Sequence, residues 1–173
     1  MKHFTKMVVA PTSCTLYFCL AGDEHYVSAA MRKDYGVEEL DEIEPMDEHL
    51  TCGEVLHNGS AIVMIIGDSR GYETIVHESV HAAGFAWEQV GGEAEITLSG
   101  EVLAYTVERI FTFAADSFEM LLRERELDKM IRKNPKGGYD VLSSSGRKLG
   151  HHDSKKDANA QLKAIEANKH GKQ

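Results

Sequence analysis

His77, Glu78 and His81 are the residues of this chain whose types and spacing could do hydrolytic chemistry. They form an H-E-x-x-H pattern inside the string YETIVHESVHAAGFAW at 72–87. Residues i and i+4 share one face of a helix, so both imidazoles can aim at a single cation while Glu78 stands beside it rather than on it. That is the arrangement of a zinc hydrolase. Two histidines do not complete such a site, because catalytic zinc takes three protein ligands and leaves the fourth position to water.

The third ligand must therefore come from elsewhere in the chain. One group of zinc peptidases extends the motif to H-E-x-x-H-x-x-G-x-x-H, and Gly84 matches its glycine. Trp87 occupies the final ligand position, however, and an indole N–H donates but cannot bind a metal. A glutamate on a second helix is the other source. Glu101 follows His81 by twenty residues, enough for one helix to end and another to return antiparallel. Ala104, Tyr105 and Glu108 fall at i+3, i+4 and i+7 from it and share its helix face. Glu101 is the expected third ligand, and Glu108 is the alternative.

Several elements must hold these residues in place. Residues 6–20 read as extended chain interrupted near Pro11, and a helix is expected from Asp23 or Glu24 to Lys33, stopped by Gly36. The acidic run EELDEIEPMDE at 38–48 reads as a solvated connector. Asn58-Gly59 predicts a two-residue hairpin turn, with Ser60 to Ile66, apolar on both faces, as a central strand. In the motif helix Ile75, Val76, Val80 and Ala83 are expected to pack on the sheet. A glycine-containing loop at 88–98 should rim the cleft, and Ser99 can cap a long helix running from Gly100 to about Lys133. The tail reads as two short strands and a helix begun by Ser154.

The expected class is α+β: a small, mainly antiparallel sheet packed on the H-E-x-x-H helix and a second long helix, followed by a small ββα module. The expected division is a body at 1–133, a linker at 134–138 and a basic tail at 139–173.

The chain of 173 residues has a formal net charge of -9, unevenly spread. Residues 134–173 carry eight Lys and Arg against four Asp and Glu, so the acidic excess lies wholly in the body. An acidic body argues against wrapping nucleic acid. No segment reaches the roughly 18 continuous apolar residues of a spanning helix, so no membrane partner is expected. Cys14, Cys19 and Cys52 lack the spacing of a zinc ribbon and read as reduced core residues of a cytoplasmic protein.

HESVH followed twenty residues later by EVLAYTVE resembles the gluzincin group of zinc metallopeptidases, and most of all the small peptidases encoded by bacteriophages. The resemblance covers roughly residues 1–125, with its specific motifs at 77–81 and 101–105. It implies a minimal zincin-like body, Zn2+ held by His77, His81 and Glu101, and Glu78 as the general base of peptide-bond hydrolysis. It also implies a peptide or protein substrate and a location in the host cytoplasm or with the virion. Larger gluzincins place an Asp four residues after the third ligand to orient a histidine; here Tyr105 stands at that step. Tyr105 would donate a hydrogen bond to the oxyanion or to a zinc ligand, or serve in packing. The tail resembles a short module at the end of various phage proteins, which implies a phage origin without naming a partner; through its basic charge the tail is expected to meet a phage or host protein. The alternative reading is a catalytically silent zinc-binding phage protein with a structural or host-interaction role. A further alternative is a nucleic-acid-associated protein acting through the tail.

Overall fold

Two strands are apolar on both faces, so the sheet they form must be covered on each side. The computed structural model describes residues 2–10, 12–36, 43–47, 52–89 and 100–170, apart from the side chains of Glu101, Lys169 and His170. Most of the acidic run, most of the 88–98 loop and the proposed Ser99 cap lie outside the described residues. The chain divides into two compact units, 2–122 and 123–173. The architecture is mixed α and β, with two small, mostly antiparallel sheets.

In the first unit β1 (Phe4–Val9) pairs antiparallel with β2 (Cys14–Leu20), and β2 pairs parallel with β4 (Ala61–Ile66). The antiparallel partner on the far side of β4 is β3 (Gly53–Asn58), an edge strand. β4 is central and buried throughout, as its two-sided apolar run predicts. Gly59 supplies the positive φ, +55°, at the β3–β4 turn.

Leu16, Phe18, Leu20, Ile62, Met64 and Ile66 cover one face. Against them pack α2 (Tyr72–Glu88) and, through Ile110, Ala114, Phe118 and Leu121, α3 (Gly100–Lys129). Tyr17, Cys19, Val63 and Ile65 cover the other face, where α1 (Glu24–Tyr35) packs with Val27 and Met31. Cys14 and Cys19 are core residues as expected, whereas Cys52, just before the edge strand, is exposed. Gly36, at φ +64°, ends α1 as expected. Each fully buried Leu, Ile or Phe side chain contributes roughly 1.5–3 kcal/mol of transfer free energy, so these two layers hold the unit together.

Two expectations are corrected here. Residues 43–47 are not a solvated connector: Met46 is buried, and its N–H donates to Glu24 Oε1 at 3.1 Å. The Ile43 N–H likewise donates to Ser28 Oγ at 3.1 Å, so the segment is strapped onto α1. The buried stripe of α2 is also rotated from the expected one. Ile75 and Ala83 are buried with Ser79, Ala82 and Ala86, whereas Val76 and Val80 are 45% and 51% exposed. Small side chains let the helix approach a sheet already filled by Ile, Leu and Phe.

In the second unit α3 ends at Lys129, and the next residues form an unexpected strand, β5 (Ile131–Lys133). It pairs antiparallel with β6 (Tyr139–Leu142), which pairs antiparallel with β7 (Lys148–His152). The supposed linker at 134–138 is the β5–β6 turn, and the module is three strands and a helix rather than ββα. Leu127, Val141, Ala158 and Leu162 form its core beneath α4 (Lys155–His170). Ser154 begins α4 as expected, accepting the Asp157 N–H at 3.2 Å while its hydroxyl donates to the Asp157 carboxylate at 2.7 Å.

Opposite the helix, Asp140 bonds Lys148 Nζ at 2.6 Å, His151 Nδ1 at 2.7 Å and Asn134 Nδ2 at 2.8 Å. Lys148 first, then His151 and Asn134, hold its carboxyl down to about 2 from the ordinary 3.8. A carboxyl whose folded pKa lies below the unfolded one stabilises the fold above the unfolded value and loses that contribution as pH falls through the folded value. Acid titration of the tail amide resonances should therefore show a loosening step between about pH 4 and pH 2, absent from Asp140→Asn. A step of equal size in both proteins would contradict this assignment.

Candidate metal centre

One helical turn brings His77 and His81 to the same exposed stripe of α2. Their Nε2 atoms lie 3.2 Å apart, with ring centroids 4.8 Å apart and planes at 72°. Two nitrogens bound to one tetrahedral zinc at about 2.0–2.1 Å stand roughly 3.3 Å apart. The separation in this chain is close to that value.

Glu78 lies on the adjacent side of α2 and is 7% exposed. Burial pushes its carboxyl above the ordinary range; His77 and His81 pull it back, and Glu54 adds to the rise. The residue that covers it is Gly53, at the start of the edge strand. A Cβ there would lie 2.8 Å from Thr74 Cγ2, 2.9 Å from Ile66 Cδ1 and 3.0 Å from Glu78 Cγ. The missing side chain allows β3 to close on the stem of Glu78. Gly53, Cys52, Glu73 and Thr74 line an open cleft with His77 and Glu78, so one imidazole and the carboxylate share a solvent-reaching space beside the sheet edge.

Gly53 was not identified by the motif, although an isolated glycine at a strand position signals a close backbone approach. Gly53→Ala is expected to destabilise the fold by about 1–3 kcal/mol through overpacking. Thermal denaturation checks this, and an unchanged melting temperature would contradict the close approach of Gly53 to Thr74, Ile66 and Glu78.

α3 lies antiparallel to α2. Tyr72 OH donates to Glu119 near one end, and Trp87 Nε1 donates to Thr106 Oγ1 at 3.2 Å near the other. Trp87, which stands where a third histidine would be needed, is therefore engaged with α3. Between the helices runs an apolar groove lined by Val76 and Val80 on one side and Leu103, Ala104, Val107 and Phe111 on the other, with Glu108 at its border.

Glu101 lies in the first turn of α3, and its side chain is outside the described residues. Among the described residues no group of three His, Cys, Asp or Glu is disposed to hold a metal, so Glu108 does not join the two histidines in this conformation. Tyr105 is 59% exposed and is not among the residues lining the groove.

His57 stacks on Phe85 with centroids 4.0 Å apart, outside the cleft. His151 and His152 point to opposite faces of the tail sheet, toward Asp140 and Gln161 respectively, as adjacent strand residues must. No helix among the described residues is long and apolar enough to cross a membrane. In comparisons with known proteins, no family model, curated sequence or solved structure matches this chain.

Proposed function

We propose that the protein is a zinc-dependent metallopeptidase of minimal gluzincin type. The observation that carries the reading is the 3.2 Å convergence of His77 Nε2 and His81 Nε2 beside the buried carboxylate of Glu78. His77, His81 and Glu101 would hold the zinc. Bound there, zinc supplies Lewis acidity, lowering the pKa of water and polarising a carbonyl.

The remaining steps belong to the chain itself. Glu78, raised above the ordinary carboxylate range by burial, takes the proton of the attacking water and returns it to the leaving amine. Gly53 and Thr74 keep that carboxylate beside His77. The edge strand β3 borders the cleft, so an extended peptide can add through backbone hydrogen bonds to its outer side, which pairs with no strand among the described residues. Tyr105, 59% exposed, would donate a hydrogen bond to the oxyanion or to a zinc ligand.

Turnover of an unfolded protein substrate by chelator-treated and zinc-reconstituted enzyme tests the reading. Cleavage should vanish with chelation, return with zinc and be lost in His77→Ala. Zinc binding without cleavage would favour the catalytically silent alternative, and cleavage that persists in chelator would overturn both.

A further inference from the structure

The cleft beside the metal pair carries a charge that the hydrolytic chemistry does not use. Glu73 stands one helical turn before His77, so the two side chains share the exposed stripe of α2 that also bears His81. Glu73 lines the cleft together with Cys52, Gly53, Thr74, His77 and Glu78, a set with two carboxylates and no Lys or Arg. Its oxygens lie over Gly71, where a Cβ would stand 2.6 Å from Oε2 and 2.9 Å from Oε1, so the glycine leaves room for the carboxylate. Glu73 is exposed and makes no hydrogen bond or ion pair with a described residue.

Two further observations bear on what meets this charge. Glu78 is 7% exposed, opens on the same cleft and also has no hydrogen-bonding partner among the described residues. The cleft thus presents carboxylates that no cation of the lining answers, and a buried acceptor left so calls for a group from outside. The second observation is the register of an added strand. A residue opposite Gly53 on a peptide laid along β3 points to the same side of the sheet as the Gly53 Cβ position, which lies 2.8 Å from Thr74 Cγ2 and 3.0 Å from Glu78 Cγ. That side chain is directed at the first turns of α2, where Glu73 stands. The first unit as a whole, with six Lys and Arg against 21 Asp and Glu, adds a field of the same sign.

A glutamate in the first turn of a helix also favours the helix dipole, whatever its neighbours. That role requires negative charge alone and sets no preference among substrates, so experiment separates the two.

We propose that Glu73 sets the substrate class: it receives the ammonium or guanidinium of a Lys or Arg side chain on the peptide laid along β3, and it repels acidic side chains from that position. The proposal rests on the peptidase reading given above.

Cys52 supplies a readout that needs no turnover, because it lines the cleft and is exposed whereas Cys14 and Cys19 are buried. Its thiolate can be titrated with a cationic and an anionic methanethiosulfonate, each rate divided by that of a neutral model thiol. In the metal-free full chain the cation should be favoured by at least about threefold, the size expected of one exposed charge pair, and Glu73→Gln should lower that ratio about twofold or more. Asp116→Asn, which removes an exposed carboxylate of α3 outside the cleft, should leave the ratio unchanged. On the zinc-loaded chain, peptides differing only by Lys, Gln or Glu at each position flanking the scissile bond are then compared. At one position kcat/KM should favour Lys over Glu by at least about fivefold, and Glu73→Lys should reverse the order. Cleavage indifferent to that choice, or a labelling ratio unchanged by Glu73→Gln, overturns the proposal and leaves the peptidase reading intact. Charge-selective labelling through Glu73 with no cleavage of any peptide overturns the peptidase reading and leaves the cleft selective for cations. If Glu73→Lys is unfolded by circular dichroism, Glu73→Gln decides: it should bring the Lys and Glu peptides closer in kcat/KM.

Discussion

Glu78→Gln is expected to retain zinc and to lose about 10²–10⁴-fold in kcat. The amide keeps the shape of the side chain under Gly53 but cannot accept the proton of the attacking water. The same substitution has an effect on stability that follows from the burial of the carboxylate. Burial raises the folded-state pKa of Glu78. A group whose folded pKa exceeds its unfolded value gives full stability below the unfolded pKa and loses it as pH rises through the folded one. The charged carboxylate therefore costs stability at neutral pH, and the amide does not. Metal-free Glu78→Gln should melt above metal-free wild type at pH 7, and the difference should shrink toward pH 4. Retained turnover would remove Glu78 from its role as base. A lower melting temperature at pH 7 would contradict its burial as a charged group.

The second large effect concerns the third ligand. Glu101→Ala is expected to drop zinc from one ion per chain to a small fraction, because two imidazoles alone leave the site short of the three protein ligands that catalytic zinc sites use. Glu108→Ala should keep its zinc, since Glu108 borders the groove beside Val76 and Val80 without joining the histidines. Metal analysis after gel filtration distinguishes the two. Full occupancy in Glu101→Ala with loss in Glu108→Ala would exchange their roles and would require α3 to shift along α2.

The sequence made some of this architecture readable because the deciding interactions are local. Asn58-Gly59 marks a hairpin through its own backbone preference, Gly36 ends a helix through a positive φ, and Ser154 with Asp157 caps α4 within one turn. The pairing of His77 with His81 is likewise a property of one helix.

What sequence reading misplaced depends on distant partners. Val76 and Val80 are the more hydrophobic choice for packing, yet the sheet accepts Ser79, Ala82 and Ala86 because its own side chains already fill the space. Ile131-Arg132-Lys133 could continue a helix, and becomes a strand because β6 lies beside it. The acidic character of 38–48 concealed Ile43 and Met46, which are held by Ser28 and Glu24 from another element. Gly53 acquires its importance only from the approach of Thr74, Ile66 and Glu78. Half of the candidate site was thus legible as a motif, whereas the part that buries the carboxylate required the packing of β3 on α2.

Zinc K-edge X-ray absorption of the purified, zinc-loaded chain tests the central claim most directly. The expected first shell contains two imidazole nitrogens at about 2.0–2.1 Å with oxygen completing a four-coordinate site. The imidazole scattering should disappear together with the bound metal in the double variant His77→Ala/His81→Ala. A chain that binds no zinc, or one whose zinc keeps the same imidazole shell in that double variant, would contradict the account.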